Sequence, residues 1–379
     1  MRFGESFADV EMNPLKLVAH FDKLAALARG DDVFPVTVEM DPVDYCNHRC
    51  WWCVDPSHGR TTMPQAFAFR LLTELRTVGV EGIVLKGGGE PTLHPAFAEI
   101  LGEARRLGFE VGIVTNGSRL AGLAEHVAEH ASYVRVSVDG PTDESHRALH
   151  GSDDFALVTQ GIGRIAALRR SRSQRHPVIG ISFAMDHSAA PLVGDAVRLA
   201  DELGVDYVLF RPPFFEEVGR KPSMSVEQKR ELLSAFERHG KAHSGPARVL
   251  VDYWISDADA GTLTASASSP RRGGCVHDGF NGIEHVTGRC LASPLLAVVA
   301  ADGQVYPCCN LRFLPEWSVG AIDYDRGTTF ESVWHGERRK RIMERIHRTE
   351  CIRACTHPMS RYNEVIEYLR GPRFHQGFV

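Results

Sequence analysis

No run of 18 or more apolar residues interrupts this sequence, so a membrane-spanning helix is not expected. The first thirty residues carry no basic-then-apolar pattern of a secretory signal. Charge of one sign does not dominate: the formal net charge of −5 excludes a whole-chain pull toward nucleic acid. The 18 histidines include no H-E-x-x-H, which excludes that type of metalloprotease helix. An even, spread-out set of cysteines is also lacking; there are nine, an odd number, and they cluster, unlike a secreted disulfide framework. Clustered thiols that must stay reduced point to the cytoplasm.

What is present begins with an ordinary apolar fraction of 43% and 379 residues, enough for one large or two moderate domains. The most informative stretch is Cys46-Asn47-His48-Arg49-Cys50-Trp51-Trp52-Cys53, spaced C-x3-C-x2-C after a short apolar strand, Val36 to Met40. One loop of this kind can wrap three thiolates around a 4Fe–4S cluster. Such a cluster takes four ligands, so one iron stays open for a substrate or cofactor. A structural zinc site is the other reading, with His48 or His58 as the fourth ligand.

Asn13 to Arg29 reads as an amphipathic helix, with Leu15, Leu17, Val18, Phe21, Leu24 and Leu27 on one side. From Val36 onward strands and helices alternate. Strands are expected at Val36–Met40, Ile83–Lys86, Val111–Thr115, Tyr133–Ser137, Val178–Phe183 and Tyr207–Arg211. Helices are expected near Pro64–Val78, Pro95–Leu107, Arg119–His130, Phe155–Arg170, Pro191–Leu203 and Val226–His239. Six β-α units imply a parallel sheet with right-handed crossovers, and from pattern alone a doubly wound open sheet is an alternative. In either case chemistry belongs at the C-terminal ends of the strands.

The second strand runs into Lys86-Gly87-Gly88-Gly89-Glu90. Glycines let backbone approach a ligand closely, and a carboxylate beside them can accept from an ammonium group; a tight turn is the plain alternative. The sixth strand runs into Arg211 and two prolines, where Arg211, Glu216 and Glu217 either face the barrel mouth and bind a polar substrate or form a charged surface loop. Ser256 to Gly274, rich in small and polar residues, reads as a linker or a loop over the active site, and a domain boundary is placed near residue 245. Arg338, Arg339, Lys340, Arg341 and Arg345 read as a solvated helix face, because glutamates interleave and no base-stacking aromatics accompany them. A nucleic-acid partner is therefore not expected.

C-x3-C-x2-C after a first strand resembles the signature of the radical S-adenosylmethionine (radical SAM) enzymes, and matches downstream extend the resemblance over most of the chain. The resemblance implies an α/β fold, a partial (β/α)6 barrel, in which Cys46, Cys50 and Cys53 hold a 4Fe–4S cluster. In that family the open iron binds SAM, and reductive cleavage gives a 5′-deoxyadenosyl radical that abstracts hydrogen from the substrate. The resemblance also implies that Trp52 lines the adenine and that Gly88, Gly89 and Glu90 hold the methionine amino group. Asn116, Ser137 and Arg211 join them as SAM-binding candidates. Many relatives carry Arg-Gly where this chain has His150-Gly151, which leaves the SAM carboxylate without that contact; Arg135 and Arg147 are candidates to replace it, with a solvated surface charge the plainer reading of each.

Cys290 and Cys308 flank a hairpin with an Asp302-Gly303 turn, spaced C-x12-G-x4-C. This is similar to the SPASM and twitch extensions of radical SAM enzymes. A helix from Phe330 to Arg348 and then Cys351 and Cys355 follow, which implies a second, auxiliary 4Fe–4S cluster on Cys290, Cys308, Cys351 and Cys355 in a small α+β domain; four cysteines also suit zinc. Cys309 reads as a buried thiol pointing away from Cys308, and Cys275 as a candidate hydrogen-atom donor to a substrate radical. The expected division is an N-terminal helix at 1–34, the barrel at 35–245 and the auxiliary domain at 246–379.

The expected substrate is a polar small molecule, an aminosugar, aminocyclitol or nucleoside sugar, dehydrogenated, dehydrated or epimerised at a carbinol in natural-product (antibiotic) biosynthesis. A maturase of ribosomally made peptides and a non-enzymatic iron–sulfur scaffold are the alternatives. Maturases often carry an extra domain of about 80 residues, and only 35 residues precede the first strand here. An external electron donor such as flavodoxin or ferredoxin is the implied partner.

Overall fold

Val38 and Met40 are fully buried among apolar neighbours, whereas Glu39 and Asp41, which alternate with them, are buried and charged. Successive strand side chains point to opposite faces, so the first strand already separates an apolar face from a polar one. The structure, a computed structural model, describes residues 14–53, 59–211, 224–251, 290–312, 314–346 and the positions 362, 363, 365, 366, 369 and 370.

The same alternation recurs in β1 (Thr37–Met40), β2 (Gly82–Leu85), β3 (Glu110–Thr115), β4 (Tyr133–Ser137), β5 (Val178–Ala184), β6 (Tyr207–Arg211) and β7 (Arg248–Val251). Their outer face carries Ile83, Leu85, Val111, Ile113, Val134, Val136, Ile179, Ile181, Val208 and Phe210, all fully buried. Crossover helices cover it: α2 (Gln65–Thr77), α3 (Phe97–Arg106), α4 (Leu120–His130), α6 (Phe155–Ser171), α7 (Val193–Leu203) and α8 (Val226–Lys241). Leu71, Leu72, Ile100, Leu101, Val127, Ile162 and Ile165 are their buried contributions to the same core. A short helix unforeseen in the sequence, α5 (Asp143–His150), lies between β4 and α6. Its Thr142 caps through Ser145, a capping box inside a polar stretch with little apolar periodicity.

The strands order as β10-β9-β8-β1-β2-β3-β4-β5-β6-β7, and β1 to β7 pair in parallel in chain order. A doubly wound sheet would reverse its order at a switch point; this one does not, and it is not closed. On the inner face the Tyr133 and Tyr207 rings lie over Gly112 and Gly180, where a Cβ would meet ring carbons at 2.2 and 2.0 Å. Above them the inner positions become polar: Glu39, Arg135, Ser137, Ser182 and Arg211.

The C-terminal part joins the same sheet. β8 (Leu296–Val299) runs parallel to β1, with β9 (Gln304–Tyr306) and β10 (Gly320–Ala321) antiparallel beyond it. The expected Phe330–Arg348 helix is two, α9 (Phe330–Trp334) and α10 (Glu337–Arg345), divided at Gly336. The basic run on α10 is not simply a solvated face. Arg339 is buried, donates to Asp32 at 2.8 Å and lies 3.9 Å over the Trp334 ring; Arg345 stacks on Trp317. At the N-terminus a 3-10 turn, Pro14–His20, precedes α1 (Phe21–Arg29). Leu17, Leu24 and Leu27 pack as expected, but the tighter turn shifts the phase and leaves Val18 and Phe21 exposed. The boundary near residue 245 falls just before β7, which pairs with β6.

Candidate functional site

The C-terminal ends of β1, β2, β3 and β4 converge on the cysteine loop. Cys46, Cys50 and Cys53 are half-buried and outside any disulfide. The loop is tied down on two sides. Toward β2 and β3, Glu90 N–H donates to Tyr45 O at 2.9 Å, Asn116 Nδ2 to Asn47 Oδ1 at 2.9 Å and Asn47 Nδ2 to Ser118 Oγ at 3.0 Å. Toward α5, Arg49 N–H donates to His150 O at 2.8 Å. Gly89 is obligatory here, because a Cβ would sit 2.1 Å from the Tyr45 carbonyl oxygen.

These residues fit an iron–sulfur cluster. The sulfur of Cys46 accepts from His48 N–H at 3.4 Å and from Asn116 Nδ2 at 3.8 Å. Burial pushes the Cys46 thiol up to about 11 and the Cys50 thiol higher still above its usual range. Such thiols become thiolates when a cation offsets the desolvation, as metal binding does. The zinc alternative keeps a candidate fourth ligand: His48 Nε2 lies 2.8 Å from Asp154 Oδ2, while its Nδ1 stands with Cys50 Sγ and His150 Nδ1, all within 4.8 Å of one another. His58 lies outside the described residues.

Glu90 is not an open carboxylate. It is buried and accepts from Thr92 N–H at 3.0 Å, Thr92 Oγ1, Thr115 Oγ1 at 2.6 Å and Asn116 N–H at 2.7 Å. Burial pushes its carboxyl upward, and these four donors pull against that. Three of these bonds fall on Oε1 and one on Oε2, so Glu90 fastens the ends of β2 and β3 together while Oε2 keeps acceptor capacity.

Behind the loop lies a buried histidine network that the sequence reading left aside. His48, His146 and His150 are each within 1% of full burial. Asp154 bridges His48 and His146, its two oxygens 2.8 and 3.0 Å from their Nε2 atoms. His150 Nε2 lies 3.0 Å from Asp139 Oδ2, and its Nδ1 is 3.1 Å from Cys50 Sγ. The H-R-A-L-H spacing of His146 and His150, one turn apart on α5, was the available signal. His126 and His130, with Glu129 between them, also stand one turn apart on α4, but they join no metal-ligand group among the described residues.

Across the barrel mouth, Glu39, Asp41, Lys86 and Arg312 form a second polar cluster. Arg312 Nη1 is 3.1 Å from Asp41 Oδ1, Arg312 Nη2 pairs with Glu39, and Lys86 Nζ is 3.1 Å from Glu39 Oε1. Burial pushes Glu39 up, but Lys86 and Arg312 outweigh it and hold the carboxyl below its usual range. At Asp41 burial prevails against Arg312 and raises the carboxyl to about 7.

Arg312 comes from the turn just after the β8–β9 hairpin, so the cysteines there border the barrel mouth. Cys290, Cys308 and Cys309 are half-buried and outside any disulfide. Cys309 does not point away from Cys308. It opens a 3-10 turn, Cys309–Leu311, rather than continuing a strand, and its sulfur accepts from the Cys308 thiol, which raises Cys308 and lowers Cys309. Asn363 Nδ2 donates to Cys290 Sγ at 3.6 Å.

The other expected site residues fall as follows. Trp52 is half-buried, 5.6 Å from the His150 ring and edge-on to Trp51. Ser137 ends β4 opposite Ser182, and Arg211 ends β6 opposite Ala184. Arg135 acts on Glu39 from the inner face, whereas Arg147 is exposed and paired with Asp153. Cys275, Cys351, Cys355, Glu216, Glu217 and the Ser256–Gly274 loop lie outside the described residues.

The fold is thus mixed α/β, an open parallel sheet with three cysteines at its C-terminal edge. Residues 40–181 match the Radical SAM superfamily and residues 290–357 the SPASM iron–sulfur cluster-binding domain, and the chain belongs to the radical SAM superfamily with a C-terminal domain of that kind. Membership implies SAM, a 4Fe–4S cluster and an auxiliary cluster site. The chain is 30% identical over 176 residues to the mycofactocin maturase MftC of Mycobacterium ulcerans, covering 45% of each. It is 28% identical over 138 residues to a probable GTP 3′,8-cyclase of Pyrococcus abyssi, covering 35% of this chain and 45% of the relative. The chain thus spans less than half the length of these curated relatives. Its fold is similar to that of Streptococcus suis SuiB bound to precursor peptide SuiA, with TM-score 0.63 and 14% identity over 90% of this chain and 75% of that one. No helix among the described residues is long and apolar enough to cross a membrane.

Proposed function

We propose that this radical SAM enzyme modifies a peptide substrate. The observation that carries the reading is the similarity to the mycofactocin maturase, within a chain that pairs the radical SAM domain with a SPASM domain. The expected polar small molecule becomes the second reading, favoured by the GTP cyclase relative and by the charged inner face at Glu39, Lys86 and Arg312.

In this proposal Cys46, Cys50 and Cys53 hold the cluster that supplies the electron for SAM cleavage. The backbone of Gly88 and Gly89, next to Glu90, meets the methionine end of SAM, with Asn116, Ser137 and Arg211 at neighbouring strand ends and Trp52 toward the adenine. Cys290, Cys308, Cys351 and Cys355 hold the auxiliary cluster, in a domain reading that begins near residue 246. The charged inner face at Glu39, Lys86 and Arg312 borders the substrate space, and the walls of the open barrel keep water from the radical. Cys275 is a candidate to return a hydrogen atom to it.

The test is to incubate anaerobically reconstituted, reduced protein with SAM and the short peptide encoded nearest its gene. The expected outcome is 5′-deoxyadenosine together with a mass change in the peptide. Turnover of a sugar or nucleotide, with every candidate peptide left unchanged, would establish the second reading instead.

A further inference from the structure

Two arginines from the C-terminal part grip the two ends of β1. Arg339 donates to Asp32, ahead of the strand, and Arg312 pairs with Glu39 and Asp41 at its C-terminal end. Only the second end leads into the site. Arg312, Glu39 and Asp41 are all buried. Compared with apolar packing of the same volume, a buried ion pair often adds no stability; what it adds here is geometry. The guanidinium is a planar fork, and its two Nη atoms go to two different carboxylates. It therefore sets the position of Glu39 relative to Asp41, which the single-point ammonium of a lysine cannot do.

Both carboxylates lead on to the glycine turn after β2. Glu39 Oε1 holds Lys86 Nζ at 3.1 Å, and Lys86 is the residue that enters the turn, its N–H donating to Met40 O at 3.1 Å. Asp41 lies against the next residue: a Cβ on Gly87 would stand 3.2 Å from Asp41 Cβ and 3.3 Å from its Cγ. One residue further, the Gly88 N–H pulls the Asp41 carboxyl down against the effect of burial. Lys86, Gly87 and Gly88 are thus each seated on a residue whose carboxylate Arg312 holds. The Asp41 backbone is tied to the C-terminal part as well, its N–H donating to Val299 O of β8 at 2.9 Å.

From this relay we infer that Arg312, acting through Glu39 and Asp41, positions the Lys86–Gly88 backbone to receive SAM, so that the C-terminal part helps set the affinity of the barrel for SAM. The inference rests on the reading of Gly88 and Gly89 as part of the SAM site. Ordering a loop at the moment of binding costs affinity, so a turn already held in its binding conformation binds its ligand more tightly. Arg312 acts through the two carboxylates and is in this sense a positioning residue.

The test uses full-length protein with its clusters reconstituted and reads two quantities. One is the SAM dissociation constant, from equilibrium dialysis with labelled SAM. The other is amide hydrogen exchange at residues 86–90 without SAM. Arg312→Gln breaks the relay. Arg339→Gln removes the buried guanidinium at the other end of β1 and controls for general loosening of the C-terminal part. Arg312→Gln should raise the dissociation constant about tenfold and speed exchange in the turn, whereas Arg339→Gln should leave both near wild type. Unchanged values of both in a folded, fully loaded Arg312→Gln protein overturn the inference, and so does an equal rise in the two arginine variants. If Arg312→Gln fails to fold, Asp41→Ala decides, since it removes the seat of Gly87 and Gly88 and leaves Arg312 paired with Glu39. It should weaken SAM binding, and a wild-type dissociation constant there overturns the proposal. Faster exchange in the turn with an unchanged dissociation constant would instead overturn the reading of the glycine turn as the SAM site, so the two failures are told apart.

Discussion

Glu39 and Asp41 lie two residues apart on one inner face and share Arg312, yet burial and neighbours drive them in opposite directions. Lys86 reaches Glu39 directly, whereas Asp41 Oδ2 has no hydrogen-bond partner among the described residues. With its folded carboxyl near 7 and an unfolded value of about 3.9, Asp41 keeps a proton that the unfolded chain releases. The stability this gives is fully present below about pH 4 and is lost as pH rises through about 7. Asp41→Asn, which stays neutral, should flatten the dependence of urea stability on pH between these limits; a slope equal to wild type would show Asp41 to be ionised throughout. Glu90 makes the complementary case. Glu90→Ala strands buried donors on Thr92, Thr115 and Asn116, at about 1–3 kcal/mol each. It should therefore destabilise the protein in urea melts even without SAM, and a variant as stable as wild type would return Glu90 to a purely ligand-facing role. The three thiols and the glycine turn were legible in the sequence, because spacing alone brings them together. Asp41, Arg312, Asp139 and Asp154 were not, because their partners lie on other strands and helices, up to 271 positions away for Asp41 and Arg312.

The six β-α units were legible as elements, and their ends agree with the expected ones to within about two residues for most, because each strand is a short apolar run between clear breakers. What periodicity could not reveal was the junction of the parts. α5 has a polar surface over two buried histidines, so its pattern looks like a loop. The α9–α10 break sits at Gly336, and three clamps around it dock the C-terminal part: Trp334 Nε1 on Val33 O at 2.8 Å, Arg339 on Asp32, and Glu331 N–H on Glu74 at 2.9 Å. Arg312 is the most deeply buried ionic tie between the hairpin region and β1 among the described residues. Removing one partner of a buried charge pair costs about 3–5 kcal/mol. Arg312→Ala should lose stability of that order, measured by urea denaturation, and loosen the packing of the hairpin region against the barrel. A loss below about 1 kcal/mol, the range of exposed pairs, would mean water replaces the guanidinium and the tie is weak.

Because β8 extends the barrel sheet at β1, the two cysteine groups belong to one scaffold rather than to two parts on a tether. Val305, Trp317, Phe330 and Trp334 share a single apolar core with Leu75 and Val80 of the barrel. A lesion at Cys46, Cys50 and Cys53 is thus expected to leave the scaffold standing, since those side chains are not among the ones packed on that core, whereas Cys290 and Cys308 are. That separation makes the metal content a clean test. Reconstituted wild-type protein should bind about eight iron and eight sulfide, four of each for each cluster. Changing Cys46, Cys50 and Cys53 together to alanine should leave about four of each, with the far-ultraviolet circular dichroism of wild type. Changing Cys290 and Cys308 should do the converse, and should leave the SAM-sensitive EPR signal in place. Zinc without sulfide in the first variant would mean that the hairpin cysteines hold a structural metal, and the auxiliary iron–sulfur assignment would fall while the SAM-cleaving site stood.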